Sequence, residues 1–156
     1  MRSSVDVHNA LIERGIPHEL VPIRGRMRKP DRIAAVFGLD PAQVGRVILY
    51  EGEGRLVAAL LSAAHKPDPK RVAAAAGLTR AREVRAARTS QITGYLPEAL
   101  PPVALPAEVG LLMDVGLSNG DVLYFPGGEA SSVLKIRGPD LVRATGATIA
   151  PLTRES

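Results

Sequence analysis

The stretch RVILYEGEGRLVAALL, residues 46–61, sets two aliphatic runs around a turn rich in glycine. Gly52 and Gly54 supply the backbone freedom that a tight reversal needs, so the stretch reads as a β-hairpin. That reading also disposes of EGEGR (Glu51–Arg55) as a dinucleotide fingerprint, which belongs between a strand and a helix.

Working outward, DVLYF and SSVLKI flank PGGEA (residues 126–130) as a second hairpin, and VGLLMDVG, ATIAPL and PHELVPI are further strand candidates. Helices are marked by their ends. Ser3 or Ser4 caps a first helix with Val7, Leu11 and Ile12 on one face and Gly15 closing it. KPDRIAAVFG is a short second helix ending at Gly38. Asp40-Pro41 and Asp68-Pro69 each place a cap before a proline at the first helical position. The first opens a single turn ending near Gly45, the second a helix that Gly77 closes. A last helix runs from Pro139 to about Ala144, with Gly146 after it. The fold class expected is α+β, a mixed sheet of about six or more strands ringed by short helices, in one domain spanning residues 1–156.

With 156 residues and ordinary apolar content, the chain is long enough to bury a core. No apolar run approaches the ~20 residues of a membrane span. Asp6 and Glu13 interrupt the N-terminal apolar pattern, which argues against a signal sequence, and a cytoplasmic protein is expected. The absence of cysteine removes disulfides, a thiolate nucleophile and cysteine metal sites. The three histidines, His8, His18 and His65, lack ligand spacing, so neither a metal nor a cofactor is expected. Aromatic residues are too few for a base-stacking platform. The net charge is +4, and basic residues gather at Arg24, Arg26, Arg28, Lys29 and Arg32, and again at Arg80, Arg82, Arg85 and Arg88. These clusters are either a surface for an anionic partner, most simply nucleic-acid phosphate, or a solvated face.

No G-x-S-x-G elbow and no P-loop are present, so hydrolysis would rest on positioned water, backbone donors and a cation. Three places offer these. Arg46 opens the first hairpin strand directly after a helical turn. Gly127-Gly128 follows a strand, where glycine permits close backbone approach and exposed N–H groups. TGYLPEALPPVALP, residues 93–106, is barred by its prolines from being a helix interior or a central strand. It is either a rigid connector or a loop held in shape for binding.

In order and spacing, AAVFGLDPAQVGRVILY, RLVAALLSAAHKPDPKRVAAAAG, TSQITGYLPEALPP and VLYFPGGEASSVLKIRGPDLVRATGA resemble the YbaK family. These are free-standing aminoacyl-tRNA deacylases related to the editing domain of bacterial prolyl-tRNA synthetases. The resemblance covers roughly Pro30 to Ala150. It implies a barrel-like mixed sheet, a cytoplasmic protein, and hydrolysis of the ester joining a wrong, small amino acid to tRNA, tRNAPro among the candidates. The partners implied are the aminoacyl-tRNA acceptor end and a synthetase. Editing has a physical rationale, because a missing methylene gives a synthetase only ~1–3 kcal/mol of discrimination.

By position, the family's key lysine falls on Arg46, and its Gly-x-x-x-Pro loop falls on Glu98 to Pro102, with glutamate in the glycine's place. The resemblance makes Arg46 the catalytic residue. It makes Gly94, Tyr95, Glu98, Pro102, Gly127, Gly128, Ser131 and Ser132 the substrate-binding set. A family aspartate falls on Val133. Two readings follow: a trans-acting deacylase, or a non-catalytic acceptor-end binding protein whose site is altered at Arg46 and Glu98.

Overall fold

Cap chemistry fixes most element ends in the computed structural model, which describes residues 1–23 and 30–154. Helix α1 (Ser4–Glu13) opens with a capping box: the Val5 N–H donates to the Ser3 hydroxyl, and the Ser3 N–H donates to the Asp6 carboxylate at 2.8 Å. Strand β1 (Glu19–Pro22) follows, then α2 (Pro30–Phe37) and a 3-10 turn capped by Asp40. The hairpin strands are β2 (Gly45–Gly52) and β3 (Arg55–Ser62). Helix α3 (Pro69–Ala76) starts on the Asp68 carboxylate and stops at left-handed Gly77. After β4 (Arg82–Glu83) comes α4 (Ala86–Thr93), which the sequence signals do not announce. Its N-cap, Arg85, makes no side-chain cap bond, and threonines at 89 and 93 turn back onto the carbonyls of Val84 and Thr89. The chain ends with β5 (Val109–Asp114), β6 (Val122–Pro126), β7 (Ser132–Arg137), α5 (Gly138–Thr145) and β8 (Thr148–Ala150).

The strands form two sheets, β4-β2-β3-β5-β8 and β1-β7-β6, so the α+β expectation of about six or more strands holds, with eight among the described residues. The β2–β3 hairpin runs in register from Gly45↔Ser62 to Gly52↔Arg55, while β5 and β8 add in parallel. The sheets meet at a seam marked by a parallel bridge between Val44 and Tyr124. Glycine is required there, because a Cβ on Gly45 would lie inside the Phe125 ring.

Strand alternation then sorts the side chains. Val47, Leu49, Ala58 and Leu60 face inward onto Leu123, Phe125, Leu134 and Ile136, forming the main core with Tyr95, Leu100 and Met113. Ile48, Tyr50, Val57, Ala59 and Leu61 face outward and are covered by Val72 and Ala73 of α3. A third cluster, Ile33, Val44 and Val133 with Phe37 and Tyr124 beside them, lies under α2. Each such side chain contributes roughly 1.5–3 kcal/mol by burial, which is why the hairpin strands carry almost no polar residue. Among the described residues, no helix is long and apolar enough to cross a membrane.

Candidate functional site

Arg46 sits at the second position of β2, opposite Leu61. Gly45 faces inward onto Phe125, so Arg46 projects from the outer face, as Ile48 and Tyr50 do. Carrying the Val44–Tyr124 register two residues forward brings Arg46 level with Pro126. Pro126 pairs with Val133, and Val133 pairs with Val21. On that extension of an isolated bridge between the two sheets, one row crosses the outer face through Val21, Val133, Pro126, Arg46 and Leu61. Positions 46 and 133 lie one strand apart on that row, beside α2.

The chemistry along the row is uneven. Val133 is fully buried among aliphatic side chains, so no carboxylate stands at that point. Arg46 is half-buried, and its Nε is buried without a hydrogen-bond partner among the described residues. An arginine nitrogen desolvated and unpaired is costly, which marks a group arranged for something other than packing. Its charge is felt along the strand. Burial pushes the Tyr50 hydroxyl up to about 12, and Glu83 and Asp68 push the same way while Arg46 opposes them.

The proline-rich stretch forms a tied loop. Gly94 ends α4 in the left-handed region, φ 79°, and Pro97–Ala99 is a 3-10 turn carrying half-buried Glu98. Tyr95 is fully buried in the main core, and its hydroxyl donates to the Ala104 carbonyl at 3.1 Å. Ala104 itself has φ 60°, a conformation an L side chain adopts at a cost. Pro102 is buried. Arg2 completes the tie: its N–H donates to the Gly94 carbonyl at 2.9 Å and its Nη1 to the Ala104 carbonyl at 2.7 Å. Nothing in the sequence pattern pointed to Arg2, which is 102 residues from Ala104.

The loop and the glycine turn are joined directly, because the Gly128 N–H donates to the Ala99 carbonyl at 3.1 Å. The Gly127 N–H donates to the Ser132 carbonyl at 2.9 Å. Close backbone approach is thus present: a Cβ on Gly128 would meet the Ser3 backbone, and one on Gly127 the Ser132 hydroxyl. Both N–H groups, however, are spent on protein carbonyls and do not stand exposed as donors. Ser131 is exposed and its carbonyl accepts from the Ile23 N–H, while Ser132 is half-buried. Glu129 accepts from the Ser4 N–H and hydroxyl, locking the turn onto the start of α1.

The structure thus brings the 94–102 loop and the Gly127-Gly128 turn into contact, and the turn follows directly on Pro126, the row member next to Arg46. Of the N-terminal basic cluster, Arg32 is exposed on α2, whereas Arg24, Arg26, Arg28 and Lys29 lie outside the described residues. Among the described residues, no three His, Asp or Glu side chains gather into a metal site.

Residues 26–144 match the family model described as the aminoacyl-tRNA editing domain. Among solved structures, the hypothetical protein APE2540 superposes with a TM-score of 0.91 at 25% identity, over 96% of this chain and 99% of that one. A candidate trans-editing enzyme for prolyl tRNA synthetase gives 0.88 at 21% identity, over 97% of each chain. A candidate signal transduction protein from Marinobacter aquaeolei VT8 gives 0.70 at 17% identity, over 97% of this chain but 31% of that one, so the same fold also stands within a longer chain.

Proposed function

This chain belongs to the aminoacyl-tRNA editing domain family, of the YbaK type, and on that premise we propose that it is a trans-acting deacylase using Arg46 as its electrostatic catalyst. Family membership carries editing of aminoacyl-tRNA in general. The finer reading is a small amino acid, with alanine, cysteine or serine on tRNAPro as candidate substrates. The observation that supports it is the buried Nε of Arg46, without a partner among the described residues, in the row that passes through Pro126 just before the Gly127-Gly128 turn.

In the reaction, a water oxygen attacks the ester carbonyl carbon. The carbon–oxygen bond to the terminal ribose breaks, and the ribose oxygen takes a proton, leaving free amino acid and uncharged tRNA. Negative charge gathers on the carbonyl oxygen before that bond breaks. The Gly127 and Gly128 amides are already engaged, so stabilisation of this charge falls to the Arg46 guanidinium, whose effect is enlarged where water is excluded. The tied loop supplies fixed geometry, with Tyr95 and Arg2 holding it from the core and from the N-terminus. No side chain need serve as general base, and the neighbouring ribose hydroxyl can assist.

The test is hydrolysis of end-labelled aminoacyl-tRNAs, comparing alanyl-, cysteinyl-, seryl- and prolyl-tRNAPro with correctly charged alanyl, seryl and threonyl tRNAs. Arg46→Ala is expected to lower kcat/KM about 10²–10³-fold, the scale of losing one donor to the developing oxyanion. Full activity in Arg46→Ala refutes its role. A second reading, an acceptor-end binding protein without turnover, is favoured by one observation: Val133 gives the row an apolar, fully buried residue. Under that reading the natural protein hydrolyses nothing on the panel, and Arg46→Lys with Glu98→Gly creates activity.

A further inference from the structure

At the far end of β2, a cleft of about 990 Å³ opens between the β2–β3 turn, α3 and the segment leading into α4. Its lining carries five cations, Arg55, Lys70, Arg80, Arg82 and Arg88, against two carboxylates, Glu51 and Glu53. Neither carboxylate is left to neutralise a ligand site. Glu51 is paired with Arg88 and Arg82, and the Arg88 hydrogen bond holds its carboxyl below the usual range. Glu53 accepts the Thr79 N–H, which lowers it likewise. Glu51 thus braces Arg82 and Arg88 while Glu53 holds the Thr79 backbone, and five cations against two acids leave the cleft a positive excess.

Three features show construction instead of chance. Gly52 is the only residue type that fits its place, because the Arg80 carbonyl lies where a Cβ would be, so the chain carrying Arg80 and Arg82 is pressed onto the hairpin. Arg55 donates to the carbonyls of Ala76 and Gly77, both at 3.0 Å, which fixes the end of α3 against the turn. Lys70 sits in the first turn of α3, where the helix dipole disfavours a cation. A local rule broken without gain to the fold is expected at functional positions.

We propose that this cleft holds the phosphate backbone of the tRNA substrate. Glu51 lies five residues along β2 from Arg46, roughly 17 Å in an extended strand, so an acceptor end placed at Arg46 leaves its stem to reach the cleft. Arginines held by carboxylates present their remaining N–H groups in fixed directions, and exposed Lys70 and Arg80 add mobile charge. The identity of the RNA rests on the editing reading above; the phosphate chemistry does not.

The experiment measures binding of uncharged tRNA across a salt series, with no hydrolysis involved. Lys70→Gln with Arg80→Gln and Arg82→Gln removes three contacts, and each is expected to take ~0.7–0.9 from the slope of log K against log salt. The total is a slope shallower by about 2–3 and binding roughly 100-fold weaker at 0.1 M salt. A charge-matched variant outside the cleft, Arg137→Gln with Arg143→Gln and Arg154→Gln, is expected to bind as the natural protein does. Equal slopes for all three proteins overturn the proposal. So does no tRNA binding by the natural protein, or saturable binding of inorganic tripolyphosphate at the cleft that leaves tRNA binding untouched. A protein that binds tRNA with the predicted slopes but hydrolyses no aminoacyl-tRNA leaves the cleft standing and removes the deacylase reading alone.

Discussion

Replacing Val133 by aspartate tests whether positions 46 and 133 share one row. The register puts a single strand between them, two inter-strand spacings or about 9.5 Å, a gap that an extended arginine and a short carboxylate can close. Burying an ionised carboxylate costs several kcal/mol, and losing the valine's apolar contacts adds about 2. At about 4 Å and an effective dielectric near 20, the Arg46 charge returns about 4 kcal/mol. Val133→Asp is therefore expected to destabilise the protein by roughly 2–3 kcal/mol with Arg46 present; in an Arg46→Met background the buried carboxyl takes up a proton, which holds the loss to roughly 4–5. Arg46→Met alone should be nearly neutral, since it removes a buried Nε that has no partner among the described residues. The coupling energy from urea unfolding of the four proteins should be about 2 kcal/mol.

The pH dependence separates the same cases by sign. Paired with Arg46, the introduced carboxylate has its folded pKa lowered, so its stabilisation is present above the unfolded pKa and fades as pH falls. Without Arg46, burial raises the folded pKa, and stability increases as pH falls through it. Additivity within about 0.5 kcal/mol, with the same pH slope in both backgrounds, refutes the row.

Two further outcomes follow from the backbone and from Tyr50. Ala104→Gly relieves ~1–2 kcal/mol of left-handed strain against ~0.5–1 of added chain entropy, so a thermal scan should show stabilisation by about 0.5–1 kcal/mol; a lower Tm refutes the strain. Tyr50 has a folded pKa of about 12 against an unfolded 10, so its contribution is complete below pH 10 and declines as pH rises from 10 to 12. Tyr50→Phe should flatten stability over that window, and an unchanged alkaline decline would show that the hydroxyl is not the group responsible.

The hairpins, the capped helices and the α+β class could be read from residues 46–61 and their surroundings because each signal is local. Apolar runs around a glycine turn, Asp-Pro starts and glycine stops all act within a few residues. Helix α4 escaped because its cap makes no side-chain bond and its threonines spend their hydroxyls on the carbonyls of Val84 and Thr89, four or five residues back. The split into two sheets escaped for another reason: it turns on Gly45 yielding its side-chain space to Phe125, a contact between residues 80 positions apart in sequence.

The candidate site divides along the same line. Arg46 could be picked out by its place at a strand's start, and the proline-rich loop by its composition. That Gly127 and Gly128 lend their missing side chains and not their N–H groups depends on Ala99, Ser132 and Ser3, all brought there by the fold. This has a chemical consequence. A site whose loop amides are consumed in holding the loop must put its electrostatics on a side chain, and the row across β7, β6 and β2 offers one cation and no carboxylate between Val21 and Leu61. Arginine keeps that charge at any working pH, whereas a buried lysine can lose it. Under the proposed role of Arg46, a row with Val133 in place of an acid has nothing to hold a lysine protonated, and the guanidinium is the side chain that stays charged unaided.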